Sequence, residues 1–150
     1  MTMEILLYIG AAYHLIWALF DFFWPKIFDW KQTLASLDDI QRILPPITSR
    51  MIVVLYLGIA YISLFHQREL LATDLGRTFL IFVSVYWGVR AILQVRYFGI
   101  RKAESFNVSF SSYVPNSPFK NMSNNTISFI FLTEFVTASV LYLIAAIHGT

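Results

Sequence analysis

Apolar residues in this chain run in four long blocks, and the stretches between them gather most of the charged and amide residues. Each block approaches the length needed to cross about 30 Å of hydrocarbon, roughly twenty residues at 1.5 Å apiece. The pattern predicts helices over about residues 5–24, 50–66, 78–97 and 127–147. The first runs from Ile5 to Trp24 and stops at Pro25. The second opens after Pro45-Pro46 and Ser49 and runs from Arg50 to His66. The third covers Thr78 to Tyr97, and the fourth Ile127 to Ile147. The expected fold is all-α: an integral-membrane four-helix bundle forming a single domain over the 150 residues.

The linkers carry patterns of their own. Between the first two blocks, Ile27, Trp30, Leu34, Leu37, Ile40 and Leu44 recur at three- and four-residue steps. That is an amphipathic helical rhythm, ended by the prolines. It predicts a helix lying on the inner membrane surface, held by apolar insertion because Lys26, Lys31 and Arg42 are balanced by Asp29, Asp38 and Asp39. Such a helix serves either as a connector packed under the bundle or as a docking surface. The linker from Phe98 to Thr126 is rich in Ser and Asn, with Phe106, Val108 and Phe110 alternating with polar residues. Alternation of that kind is consistent with a short strand or hairpin.

Composition agrees with the blocks. The chain is 57% hydrophobic and only 13% charged, against about half apolar and a quarter charged in soluble domains. Its net charge of +2 does not argue for nucleic acid, because the basic residues flank apolar blocks instead of forming a stripe. With no cysteine, thiol catalysis, disulfide exchange, iron–sulfur clusters and thiolate zinc sites are excluded. The first block lacks the basic leader and small-residue cleavage pattern of a signal peptide and is read as a retained helix.

Charge also sets an expected orientation. Lys26, Lys31, Arg42 and Arg50 lie in or beside the first linker, and Arg96, Arg101, Lys102 and Lys120 in or beside the last. The opposite side has Arg68 and Arg77. Positive charge favours the cytoplasm, so both basic linkers are expected inside and both termini outside, in a plasma or inner membrane. The acceptor sequences beginning at Asn107, Asn121 and Asn124 would then never meet the glycosylation machinery.

Candidate chemistry lies within the blocks. A charge at the centre of a spanning helix costs about 2.5–3.5 kcal/mol on insertion scales and persists where it faces the bundle interior and finds partners. Gly10, His14, Trp17, Ala18 and Asp21 share a face of the first helix; Trp87, Arg90 and Gln94 share one on the third; Glu134, Ala138, Leu141 and Ala145 line up on the fourth. Counted from the outer ends, His14 lies about 14 Å deep, Arg90 about 18 Å and Glu134 about 20 Å. Asp21, Gln94 and Arg50 lie about 24 Å deep on the same count. Two polar layers are therefore expected. The upper holds an Arg90–Glu134 ion pair with His14 nearby and Trp87 stacked on the guanidinium; the lower holds Asp21, Arg50 and Gln94.

The upper layer serves equally as a structural clip or as a ligand or proton site; the lower reads first as structural, because its side chains can snorkel to water. His14 sits mid-span whereas His66 and His148 sit at the outer rim, which disfavours bis-histidine haem and leaves no metal site of three convergent ligands. Neither HExxH, GxSxG nor a phosphate-cradling glycine loop occurs. No cofactor is expected. The leading expectation is a membrane protein whose intramembrane polar site binds a small-molecule or lipid-like ligand or relays a proton. The alternatives are an accessory or assembly subunit docking on a membrane-protein partner or a second copy, and an enzyme acting on a lipid-soluble substrate through Glu134 or His14.

Overall fold

The computed structural model describes residues 3–98 and 124–149, and these are helical nearly throughout. Six helices follow in order: α1 Met3–Ile27, α2 Trp30–Thr33, α3 Asp39–Phe65, α4 Gln67–Ala72, α5 Asp74–Phe98 and α6 Asn124–His148. Four of them, α1, α3, α5 and α6, are long and apolar enough to cross a membrane. At most 44% of each apolar span is buried inside the bundle. The outward faces carry Ile16, Leu19, Val54, Phe82, Ile92, Val140 and Ile147, an exterior suited to hydrocarbon rather than water.

Cross-helix pairings give the topology. Ser49 meets Asp21, and Tyr56 meets His14, so α3 runs antiparallel to α1. Ser84 meets Ser139 and Arg90 meets Phe135, so α6 runs antiparallel to α5. These two pairs are the close ones, joined chiefly where α1 meets α6. Small residues allow the approach: Ala11, Ala18 and Ala60 are buried on one pair, and Ala91, Ala138 and Ala145 on the other. A reciprocal clasp ties α5 to α6, with Ser84 Oγ donating to the Ser139 carbonyl at 2.8 Å and Ser139 Oγ donating to the Ser84 carbonyl at 2.9 Å. By contrast, α3 and α5 scarcely approach one another. Tyr56 and Trp87, stacked at 5.5 Å between centroids and 16° between planes, bridge that seam.

The linker between the first two spans departs from expectation. Pro25 does not stop α1 but lies in its last turn, where its lack of an N–H leaves the Asp21 carbonyl without its helical donor. The Ser49 hydroxyl supplies the missing hydrogen bond at 3.2 Å. The amphipathic rhythm does not form one surface helix. Asp29 adopts left-handed geometry with φ 41° and turns the chain into the single-turn α2. A break follows, and Asp38, extended at φ −60° and ψ 156°, opens α3. Ile40 and Leu44 therefore belong to a 27-residue helix that continues through Pro45 and Pro46 into the second span. The prolines fall within its first two turns, where the Gln41 and Arg42 carbonyls that they orphan lie on exposed residues. The strand expected around Phe106–Phe110 lies outside the described residues.

Candidate functional site

The polar side chains sort into two groups that differ from the expected layers. At mid-bundle, His14 is fully buried and held on every side. Its Nδ1 lies 2.8 Å from the Gly10 carbonyl, which can only accept, so this nitrogen carries the hydrogen. Its Nε2 lies 3.1 Å from Trp87 Nε1, whose N–H can only donate. The two contacts fix a neutral ring as the Nδ1–H tautomer. Tyr142 Oη is 3.1 Å from the same Nδ1 and 3.3 Å from Ser63 Oγ, so the tyrosine hydroxyl shares the Nδ1–H with the Gly10 carbonyl and links the ring to Ser63. Tyr56, Tyr142 and Trp87 box the imidazole edge-on, with centroids 5.4–5.6 Å away. Helix periodicity predicted His14 and Trp87, and they do meet.

Gly10 makes this closure possible. A Cβ there would stand 2.6 Å from Tyr142 Oη and 2.8 Å from Cζ. Charge and span length alone do not single out Tyr142, Ser63 or Tyr56. Tyr142 was recoverable in principle, since Phe135, Ala138, Tyr142 and Ala145 continue one inward stripe at alternating steps of three and four.

Glu134 lies beside that stripe. Its side chain is exposed, and only its main-chain carbonyl joins the bundle, accepting from the Tyr13 hydroxyl at 3.1 Å. Among the described residues the one carboxylate–cation pair within 4 Å is Arg42 with Asp39, on the surface. The expected Arg90–Glu134 pair is therefore not formed. Their depths agreed, but a residue's direction around its helix axis decides contact, and Glu134 stands one residue before inward-facing Phe135. Trp87 turns to His14 instead of to Arg90, and the guanidinium lies 5.1 Å over the Phe135 ring.

The second group lies about one turn along from the Tyr56–Trp87 stack, where Arg90 follows Trp87 by three residues and Ile52 precedes Tyr56 by four. A cleft of about 400 Å³ opens there, lined in part by Asp21, Trp24, Trp30, Thr48, Ser49 and Arg90. Asp21 is 8% exposed, and its Oδ2 is buried without a hydrogen-bond partner; Arg90 Nε is likewise buried and unpartnered. Ser49 is spent on the Asp21 main chain, which leaves the carboxylate free for the cleft. Of the expected lower layer only Asp21 takes part. Arg50 is exposed, with its guanidinium 6.0 Å over Phe22, and Gln94 is half-buried without a bond to either. A second, apolar groove of about 290 Å³ runs along α5 past Phe82, Val85, Val89 and Leu93, and it shares Arg90 with the cleft.

Compared with protein-family models, with curated proteins and with solved structures, the chain matches none.

Proposed function

We propose that this chain is a membrane-embedded protein that binds a single amphiphile, with the polar end in the Asp21–Arg90 cleft and the apolar part along the groove of α5. The observation that carries this reading is the shared Arg90: one arginine side chain borders both a polar cleft and an apolar groove. Buried polar atoms without partners cost about 1–3 kcal/mol each, and a ligand headgroup supplying both a donor and an acceptor would satisfy them. Trp24 and Trp30 suit a cleft at headgroup depth. The excess of Lys and Arg in the linkers supports a reading with this end of the bundle in the cytoplasmic leaflet and both termini on the other side. His14, with both nitrogens engaged, serves as the clip that holds α1, α5 and α6 together rather than as a proton relay.

Native mass spectrometry of the detergent-purified chain tests the proposal. One lipid adduct per chain is expected, with several-fold lower occupancy in Arg90→Gln. Wild-type protein that retains no amphiphile of any class would contradict it.

A second reading, as an accessory subunit, draws support from Glu134. A carboxyl side chain exposed at mid-span is costly in hydrocarbon, and a partner helix covering the α1–α6 flank would remove that exposure.

A further inference from the structure

The cleft presents two opposite charges that face one another without a direct ion pair. Arg90 offers a cationic donor and Asp21 an anionic acceptor. Both line the same space, yet no ion pair within 4 Å joins them among the described residues. Each keeps one buried atom unpartnered, Nε on the arginine and Oδ2 on the aspartate. Both side chains are spared competing duties. Ser49 bonds the Asp21 main chain and not its carboxylate, and Arg90 rests on the face of Phe135 instead of on a carboxylate. An anionic headgroup alone would satisfy Arg90 but would bring its charge toward Asp21. A cationic one alone would reverse the problem.

Resting on the amphiphile reading above, we infer that the polar end of the ligand is a zwitterion: a phosphate diester bound at Arg90 and a primary ammonium bound at Asp21, as in a diacyl lipid with a phosphoethanolamine head. Guanidinium and phosphate match in charge and geometry. A buried carboxylate oxygen lacking a partner is met best by a charged N–H donor, which a primary ammonium has, whereas a glycerol head offers only neutral hydroxyls and a quaternary ammonium no donor at all. The lipid source, as opposed to a free soluble zwitterion, follows from the apolar groove that continues from Arg90 past Val89 and Val85.

The test is a competition of defined lipids for the purified full-length chain in neutral detergent, read by native mass spectrometry. The probes are a phosphoethanolamine diacyl lipid, its trimethylated phosphocholine counterpart, a phosphoglycerol lipid with the same chains, and free phosphoethanolamine. The phosphoethanolamine lipid should bind about tenfold or more tighter than either other lipid, the ratio that one charge-assisted hydrogen bond of about 1.4 kcal/mol provides. Asp21→Asn should abolish its advantage over the phosphoglycerol lipid, and Arg90→Gln should weaken all three lipids. Equal binding of the phosphoglycerol or phosphocholine lipid to wild type would overturn the zwitterion while leaving an amphiphile site standing. No binding of any lipid would overturn the amphiphile reading itself. Free phosphoethanolamine binding as tightly as the lipid would overturn the lipid source. The wild-type ranking stands without either variant, so a substitution that prevents folding does not rescue the proposal.

Discussion

The indole N–H of Trp87 donates to Nε2 of His14 across 3.1 Å, joining the third span to the first at the most buried level of the bundle. Trp87→Phe keeps an aromatic ring but removes the indole N–H and strands Nε2. The expected cost is about 1–3 kcal/mol, the usual penalty for an unsatisfied buried polar atom. Unfolding in mixed micelles should show that loss. Adding His14→Leu to Trp87→Phe should recover part of it, since neither partner is then left wanting. A Trp87→Phe chain as stable as wild type would remove His14 from its role as a clip.

Two glycines give opposite predictions. Gly10→Ala drives a methyl into the Tyr142 ring and should destabilise by about 1–3 kcal/mol, as overpacking does. Gly58 has nothing within 4 Å of an added Cβ and is exposed on α3. Gly58→Ala should therefore leave stability unchanged or raise it by up to about 1 kcal/mol through helix propensity. Thermal unfolding of the two variants side by side checks both signs.

Arg90 and Glu134 should behave independently. With no ion pair between them, Arg90→Leu and Glu134→Leu should be additive in a double-mutant cycle to within about 0.5 kcal/mol. A coupling energy above about 1 kcal/mol would restore the pair that depth alone suggested.

What the sequence made legible, and what it did not, follows from how each property is encoded. Span number depends on block length and hydropathy, which are one-dimensional, and all four spans appear as long apolar helices. Depth is nearly one-dimensional too. His14 and Trp87, placed on inward faces by periodicity, do meet. Azimuth is not: one residue of offset turned Glu134 outward beside Phe135, and the choice between neighbouring faces needed the packing of α5 on α6. The sequence pattern starts the second span at Arg50 because Pro45-Pro46 signals a helix boundary. Prolines in the opening turns of a helix break fewer backbone bonds than in its middle, so α3 starts eleven residues earlier, at Asp39. The cleft is illegible in sequence because its lining comes from α1, α2, α3 and α5 together, a juxtaposition that no local pattern records. Its one local trace is Pro25, which orphans the Asp21 carbonyl that Ser49 then caps.

Orientation is testable without purification. Epitope tags at both termini should be degraded by protease added to intact spheroplasts, as the positive charge of the linkers predicts. Protection of both tags would invert the topology and move the cleft to the opposite leaflet.

The absence of cysteine from the chain permits a direct measurement of occupancy. Thr48 lines the cleft and is exposed, whereas Thr133 is exposed on α6 away from it. Thr48→Cys and Thr133→Cys each introduce a single thiol whose rate of maleimide labelling can be followed in neutral detergent. Addition of a phosphoethanolamine diacyl lipid should slow labelling at position 48 about tenfold in a saturable manner, and leave position 133 unchanged. Equal labelling rates at position 48 with and without lipid, over the full range of lipid added, would contradict an amphiphile bound between Asp21 and Arg90.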